Sequence, residues 1–91
     1  MTKRVQAQVS GHVQGVGYRY YAAHVAEGLG IVGTVRNTHD GGVEAIAEGG
    51  EDSLHEFVVA LKHGPQHAQV TEVATAWTDA TGEFDTFDAV S

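Results

Sequence analysis

The chain has 91 residues, 12 of them acidic and 5 basic, which gives a formal net charge of −7, and it contains no cysteine. This length predicts one domain, residues 1–91, built around a single hydrophobic core. The missing cysteine excludes disulfides, thiolate nucleophiles and cysteine-ligated metals, and the acidic surface disfavours nucleic-acid phosphates as partners. No secretory signal follows the N-terminal bases, and no apolar segment approaches the roughly 18 residues of a membrane span. We therefore expect a cytoplasmic protein with no membrane or nucleic-acid partner.

The first third of the chain predicts a strand, a glycine-rich loop and a helix. Apolar and polar residues alternate from Val5 to Ser10, which is typical of a half-buried strand. The loop "GHVQGVGYRY", Gly11 to Tyr20, follows this strand. From Ala22 to Leu29, apolar residues recur at the spacing of one helical face, and the glycines between Gly28 and Gly30 are expected to end that helix.

The rest of the chain predicts a hairpin, a second helix and two more strands. Strands at Ile31–Arg36 and Val43–Glu48 flank a turn at Asp40-Gly41, where positive backbone φ is tolerated. Acidic residues favour a helix start at Glu51, and an apolar stripe continues to the break at residues 62–65. Two further strands complete the chain: Gln69–Thr78 and Glu83–Ala89.

This order of elements predicts an α+β fold of the ferredoxin-like type, an α/β sandwich with the order βαββαβ and a short extra C-terminal strand. Two amphipathic helices must bury their apolar stripes, and one face of an antiparallel sheet can cover both. In this arrangement the loop after the first strand lies at one end of the sheet, together with the start of the first helix.

Two motifs in the chain resemble ligand sites but stand in the wrong context. "GLGIVG", Gly28 to Gly33, matches a dinucleotide fingerprint, yet it follows a helix and opens a strand, which is the reverse of what such a site needs. His63 and His67 have the spacing of a helical zinc site, but Gly64 and Pro65 break any helix between them. We therefore predict neither a nucleotide cofactor nor a metal.

The glycine-rich loop has the features of an anion-binding site. It follows a strand and opens a helix, where backbone N–H groups have no partner within the helix and the helix dipole is positive. Gly11, Gly15 and Gly17 let successive N–H groups converge, and the fork of Arg19 can hold two phosphate oxygens without a metal. The alternative is a tight turn in which the glycines serve only geometry and Arg19 pairs with a surface acid.

Two stretches carry a resemblance to a known family. "VSGHVQGVGYR", Val9 to Arg19, and "GTVRNTHDGGVEAIAEG", Gly33 to Gly49, resemble the two signature segments of the acylphosphatases. The resemblance covers nearly the whole chain and implies the ferredoxin-like sandwich. It also implies hydrolysis of the carboxyl-phosphate bond of acyl phosphates, which releases a carboxylate and phosphate. We expect a metal-independent, monomeric enzyme with a small acyl phosphate as its substrate.

The resemblance also implies roles for particular residues. Arg19 matches the family's phosphate-binding arginine, and Asn37 matches the asparagine that orients the attacking water. The loop residues expected to bind phosphate are Gln14, Gly15, Val16, Gly17, Tyr18 and Arg19. Thr34 departs from the pattern, because the family usually carries an aromatic residue there, and threonine lacks the large apolar surface that would pack beside the site.

Two alternative functions and one residue assignment stay open at this stage. A binding module would keep the phosphate site without turnover, and acylphosphatase-like domains do occur at the head of large carbamoyl-transfer proteins, although this chain ends after one domain. RNA-recognition domains share the element order, but Glu44 and Glu48 stand among the apolar residues of the third strand, which disfavours RNA. Tyr18 and Tyr20 are expected to pack at the helix start, or one of them borders the acyl group.

Overall fold

The computed structural model describes residues 2–91, and its elements follow the predicted order. Five strands and two helices make up this part of the chain: β1 Thr2–His12, α1 Tyr18–Leu29, β2 Val32–Asn37, β3 Val43–Gly50, α2 Glu51–His63, β4 Gln69–Asp79 and β5 Phe87–Val90. The helices among residues 2–91 are too short or too polar to cross a bilayer.

The strands form one sheet in the order β4-β1-β3-β2-β5. Pairing is antiparallel for β1 with β3, β1 with β4 and β2 with β3, as the predicted fold requires. The added C-terminal strand differs from the expectation of an antiparallel sheet, because β5 runs parallel to β2 and makes the sheet mixed. The chain leaves β4 at one edge and crosses the sheet before it joins the other edge, so β5 arrives in the direction of β2.

The core lies between the two helices and one face of the sheet. The alternation predicted for β1 is confirmed, since Val5, Ala7 and Val9 are fully buried on that face. Helix α1 packs on β2 and β5, while α2 packs on β1, β3 and β4. Phe57 of α2 meets Phe87 of β5 edge to face, with ring centroids 5.6 Å apart, so the last strand is also tied to the core.

The glycines of the dinucleotide-like motif serve backbone geometry, as predicted. Gly30 caps α1 in the left-handed conformation, with φ of 70°. Gly33 has φ of 146°, and a β-carbon there would lie 1.8 Å from the carbonyl oxygen of Ile46. The motif therefore ends a helix and lets β2 lie close against β3.

A buried carboxylate holds the segment that crosses the sheet. The side chain of Glu48 is only 4% exposed. It accepts hydrogen bonds from the Thr81 backbone N–H at 2.9 Å, from the Gly82 N–H at 3.0 Å and from Arg4 Nη1 at 3.0 Å. The prediction that the last strand begins at Glu83 is wrong at this point. Residues 81–83 bind Glu48 and Arg4 instead of a neighbouring strand, so pairing starts only at Phe87.

These contacts set the protonation of Glu48. Burial acts to raise the pKa of its carboxyl, but the hydrogen bonds from Thr81, Gly82 and Arg4 outweigh burial and hold the pKa below its usual value. A carboxyl whose pKa is lower in the folded state than in the unfolded state stabilises the fold at pH values above its unfolded-state pKa. That stabilisation is lost as the pH falls through the folded-state value.

We predict that Glu48→Gln lowers the free energy of unfolding by about 1–3 kcal/mol at pH 7, because an amide accepts fewer hydrogen bonds and carries no charge for Arg4. Urea unfolding at pH 7 and at pH 3 measures the effect, and the difference from wild type should shrink at the lower pH. Glu56→Gln, at an exposed position of α2, is the matched control. An equal loss in both variants would contradict the assignment.

Candidate active site

The loop between β1 and α1 has the backbone of an anion-binding turn. Gly15 and Gly17 both adopt the left-handed conformation, with φ of 74° and 76°. A β-carbon at either position would meet no atom within 4 Å, so backbone conformation and not space requires glycine there. Among residues 2–91, the backbone N–H groups from Gln14 to Arg19 have no hydrogen-bond partner. They form the open N-terminus of α1, where no side chain acts as a cap.

Arg19, in the first turn of α1, carries an uncompensated positive charge. Its Nη1 donates to the carbonyl oxygen of Val90 at 2.7 Å, which is its one hydrogen bond in the described part of the chain. The arginines at positions 4 and 36 form ion pairs with carboxylates, whereas Arg19 has none within residues 2–91. Arg19 therefore does not form, within the described residues, the surface ion pair that was its alternative role. The carbonyl fixes one N–H of the guanidinium, and its other donors remain for a ligand.

Two tyrosines attach the start of α1 to α2. The Tyr18 hydroxyl donates to the carbonyl oxygen of Leu61 at 2.7 Å, and the Tyr21 hydroxyl donates to that of Ala60 at 2.8 Å. Burial raises the pKa of the Tyr18 phenol, which stays neutral and suited to this donation. Tyr18 is thus a packing residue at the helix start, as one of the two alternatives expected.

Asn37 is the last residue of β2. It is half-buried, and its side-chain amide makes no hydrogen bond to another residue in the range 2–91. The turn after it is closed locally, because the Gly42 N–H donates to Thr38 Oγ1 at 3.1 Å, and the Thr38 hydroxyl also bonds the carboxylate of Asp40. The hydrogen bonds from Thr38 and Gly42 lower the pKa of Asp40, which stays ionised in this role.

A side chain of the loop holds this turn in place. Gln14 Nε2 donates to the carbonyl oxygens of Thr38 and Gly42, both at 2.8 Å. Two bonds from one amide fix the distance between the anion-binding loop and the strand end that carries Asn37. The sequence offered Gln14 only as part of the loop backbone, and its side-chain contacts were not predicted.

The two predicted catalytic side chains share one cavity. A cleft of about 220 Å³ lies at this end of the sheet, and it is lined by Val13, Gly15, Gly17, Tyr18, Arg19, Tyr20 and Asn37. Gln14 and Val16 are not among the lining residues, since Gln14 faces the hairpin turn and Val16 packs on the core. Thr34, the departure from the family pattern, does not line the cleft either.

A larger depression of about 620 Å³ lies near the start of β1, away from the cleft. His55 and Trp77 stack there, with ring centroids 4.6 Å apart. Its lysine, Lys3, is already paired with Asp79 at 3.2 Å, and Glu51 adds another negative charge. A phosphate would be repelled there, so the smaller cleft is the candidate site despite its size.

The helix break predicted between His63 and His67 is confirmed. His63 is the last residue of α2, and His67 lies in the turn beyond it. Among residues 2–91, no three histidine, aspartate or glutamate side chains converge in a way that would hold a metal ion.

The contact between Arg19 and Val90 had no signal in the sequence. The two residues are 71 positions apart, and the bond uses a backbone carbonyl that any residue would supply. Only the parallel pairing of β5 with β2 brings that carbonyl to the cleft.

Comparisons with known proteins identify the family of this chain. The acylphosphatase family model matches residues 5–89. The acylphosphatase of Deinococcus radiodurans is 49% identical over 79 residues, which cover 87% of this chain and 91% of that protein. That of Caldanaerobacter subterraneus is 41% identical over 87 residues, covering 96% and 97%. The crystal structure of acylphosphatase from Bacillus subtilis matches with a TM-score of 0.94 at 35% identity, over 98% of this chain and 99% of that one. The chain therefore belongs to the acylphosphatase family of hydrolases.

Proposed function

We propose that this chain hydrolyses the carboxyl-phosphate bond of small acyl phosphates without a metal ion, with Arg19 and the loop amides binding the phosphate and Asn37 orienting the water. The observation that carries the proposal is the cleft itself. It joins an arginine without an acidic partner to an asparagine whose amide is unused.

Binding of the phosphate group follows from the charges around the loop. Unpartnered N–H groups at the start of α1 and the guanidinium of Arg19 both favour an anion. The segment from Gly11 to Tyr20 contains no acid, although the whole chain has a net charge of −7. The positive charge that a metal would supply in other phosphoryl transfers is provided here by Arg19 and the helix dipole.

Asn37 contributes by position and not by basicity. Its carbonyl oxygen accepts a hydrogen bond from the water, and its NH₂ group donates one to the water or to a phosphate oxygen. A neutral amide is too weakly basic to take a proton near neutrality, so it cannot serve as a general base. An acyl phosphate tolerates this, because its carboxylate is a good leaving group.

The reaction needs no reactant other than the acyl phosphate and water. The water oxygen forms a bond to phosphorus while the bond from phosphorus to the acyl oxygen breaks, and the carboxylate leaves with the electron pair. The protons of the water pass to the released phosphate and to solvent. Arg19 holds the charge that builds on the phosphate oxygens during this step.

The monomeric state and the cytoplasmic location stay predictions. Binding of RNA to the sheet face that the helices do not cover is disfavoured further by Glu44 of β3, which forms an ion pair with Arg36 of β2. A gel-shift at low salt should show no RNA complex.

We predict that Arg19→Gln lowers kcat/KM for benzoyl phosphate by two to four decades, about 3–5 kcal/mol, because the neutral amide no longer stabilises the phosphate charge. Arg36→Gln removes the same charge from an exposed ion pair and should change kcat/KM only about twofold. Both variants are assayed by phosphate release with EDTA present, and circular dichroism checks their folding. Equal activity of wild type and folded Arg19→Gln would refute the role of Arg19.

We predict that Asn37→Ala lowers kcat by about two to three decades while inorganic phosphate still binds near its wild-type strength, because the water loses its orienting group and the loop does not. Product release and competitive inhibition by phosphate measure the two effects separately. Loss of wild-type turnover in EDTA would contradict metal independence. A folded wild type that binds phosphate but releases no product, with or without divalent metal, would be a binding module and not an enzyme.

A further inference from the structure

We propose that Tyr20 forms the acyl side of the cleft and favours acyl phosphates with aromatic or extended apolar acyl groups over small ones such as acetyl. The inference rests on the proposed function, since it takes the phosphate to be held by the loop and Arg19.

The fold uses two of the three tyrosines and leaves the third free. Tyr18 and Tyr21 donate their hydroxyls to carbonyls of α2. Tyr20 is 79% exposed, and among residues 2–91 its side chain has no hydrogen-bond partner. It makes no aromatic pair there either, whereas Tyr18 and Tyr21 lie with ring centroids 6.1 Å apart. Nothing in the packing of the described residues therefore explains a tyrosine at position 20.

Its position beside the cleft gives Tyr20 a role in ligand binding. Tyr20 follows Arg19 in sequence and lines the same cleft as Asn37. The other exposed large apolar side chains, Val59 and Trp77, do not line this cleft. Tyr20 is thus the exposed aromatic surface that adjoins the phosphate site.

The geometry of the reaction directs the acyl group towards such a surface. The loop amides and Arg19 occupy the non-bridging phosphate oxygens, and the attacking water stands in line with the bond that breaks. The acyl group therefore lies away from Asn37 and outside the loop. Of the apolar residues that line the cleft, Val13 and Tyr18 are only 1% exposed, so Tyr20 is the one that can contact a group extending from the cleft.

The chemistry of the contact determines which acyl groups bind more tightly. A tyrosine ring offers a large apolar face, and an aromatic pair adds about 0.5–1.5 kcal/mol beyond the area it buries, or roughly 2- to 12-fold in affinity. An acetyl group is too small to cover the ring. The hydroxyl is not required, so a phenylalanine should serve as well.

Binding of two phosphonates tests the proposal without depending on turnover. Methylphosphonate and benzylphosphonate present the same anion with a small or an aromatic substituent, and calorimetric titration gives the ratio of their dissociation constants. We expect wild type and Tyr20→Phe to prefer benzylphosphonate by roughly 3- to 10-fold. Tyr20→Ala should lose this preference and keep its affinity for methylphosphonate. Val59→Ala, at an exposed apolar position of α2, should behave as wild type.

The outcomes separate this inference from the proposed function. A preference that persists in Tyr20→Ala, or that is absent from wild type, overturns the role of Tyr20 while hydrolysis stands. If the predicted preference is observed but wild type releases no phosphate from benzoyl phosphate, Tyr20 contacts the ligand and the enzymatic proposal fails. If neither phosphonate binds, both the phosphate site and the Tyr20 contact are wrong.

Discussion

The side chain of Gln14 provides the constraint on which the arrangement of the cleft depends. Its amide donates two hydrogen bonds of 2.8 Å to the hairpin turn, at Thr38 and Gly42. The glycine-rich loop belongs to the connection between β1 and α1, whereas Asn37 belongs to β2, and β3 lies between these two strands. A bridge between the two connections is therefore needed to keep their groups at a fixed distance. Such positioning matters, because a catalytic group displaced by about 1 Å can lose two decades of rate.

Electrostatics makes Arg19 distinct among the charged residues of an acidic protein. The arginines at positions 4 and 36 are neutralised by acids, whereas Arg19 is held by the neutral carbonyl of Val90. A carbonyl orients the guanidinium without cancelling its charge, so the full charge remains for an anionic ligand. The loop before it contains no acid, so no carboxylate of the loop neutralises Arg19.

The path of the C-terminal segment connects the fold with the site. Glu48 binds the segment as it crosses the sheet, through the backbone N–H groups of Thr81 and Gly82. Beyond this point the chain forms β5 beside β2 and brings the carbonyl of Val90 to Arg19. A buried carboxylate outside the cleft thus helps to place the carbonyl group that holds Arg19. The same segment contributes to the stability of the fold and to the position of Arg19. A substitution that loosens the segment is therefore expected to affect both.

The element order, the buried face of β1 and the glycine loop could be predicted from the sequence, because periodicity and backbone preference are local properties. The sequence also indicated Arg19 and Asn37 through two signature segments that need no knowledge of the fold. The sequence carried no signal for the parallel pairing of β5, for the bond between Arg19 and Val90, or for the burial of Tyr18 beside an exposed Tyr20. These features depend on contacts between residues far apart in the chain, often through backbone groups that every residue carries. No local pattern encodes such contacts.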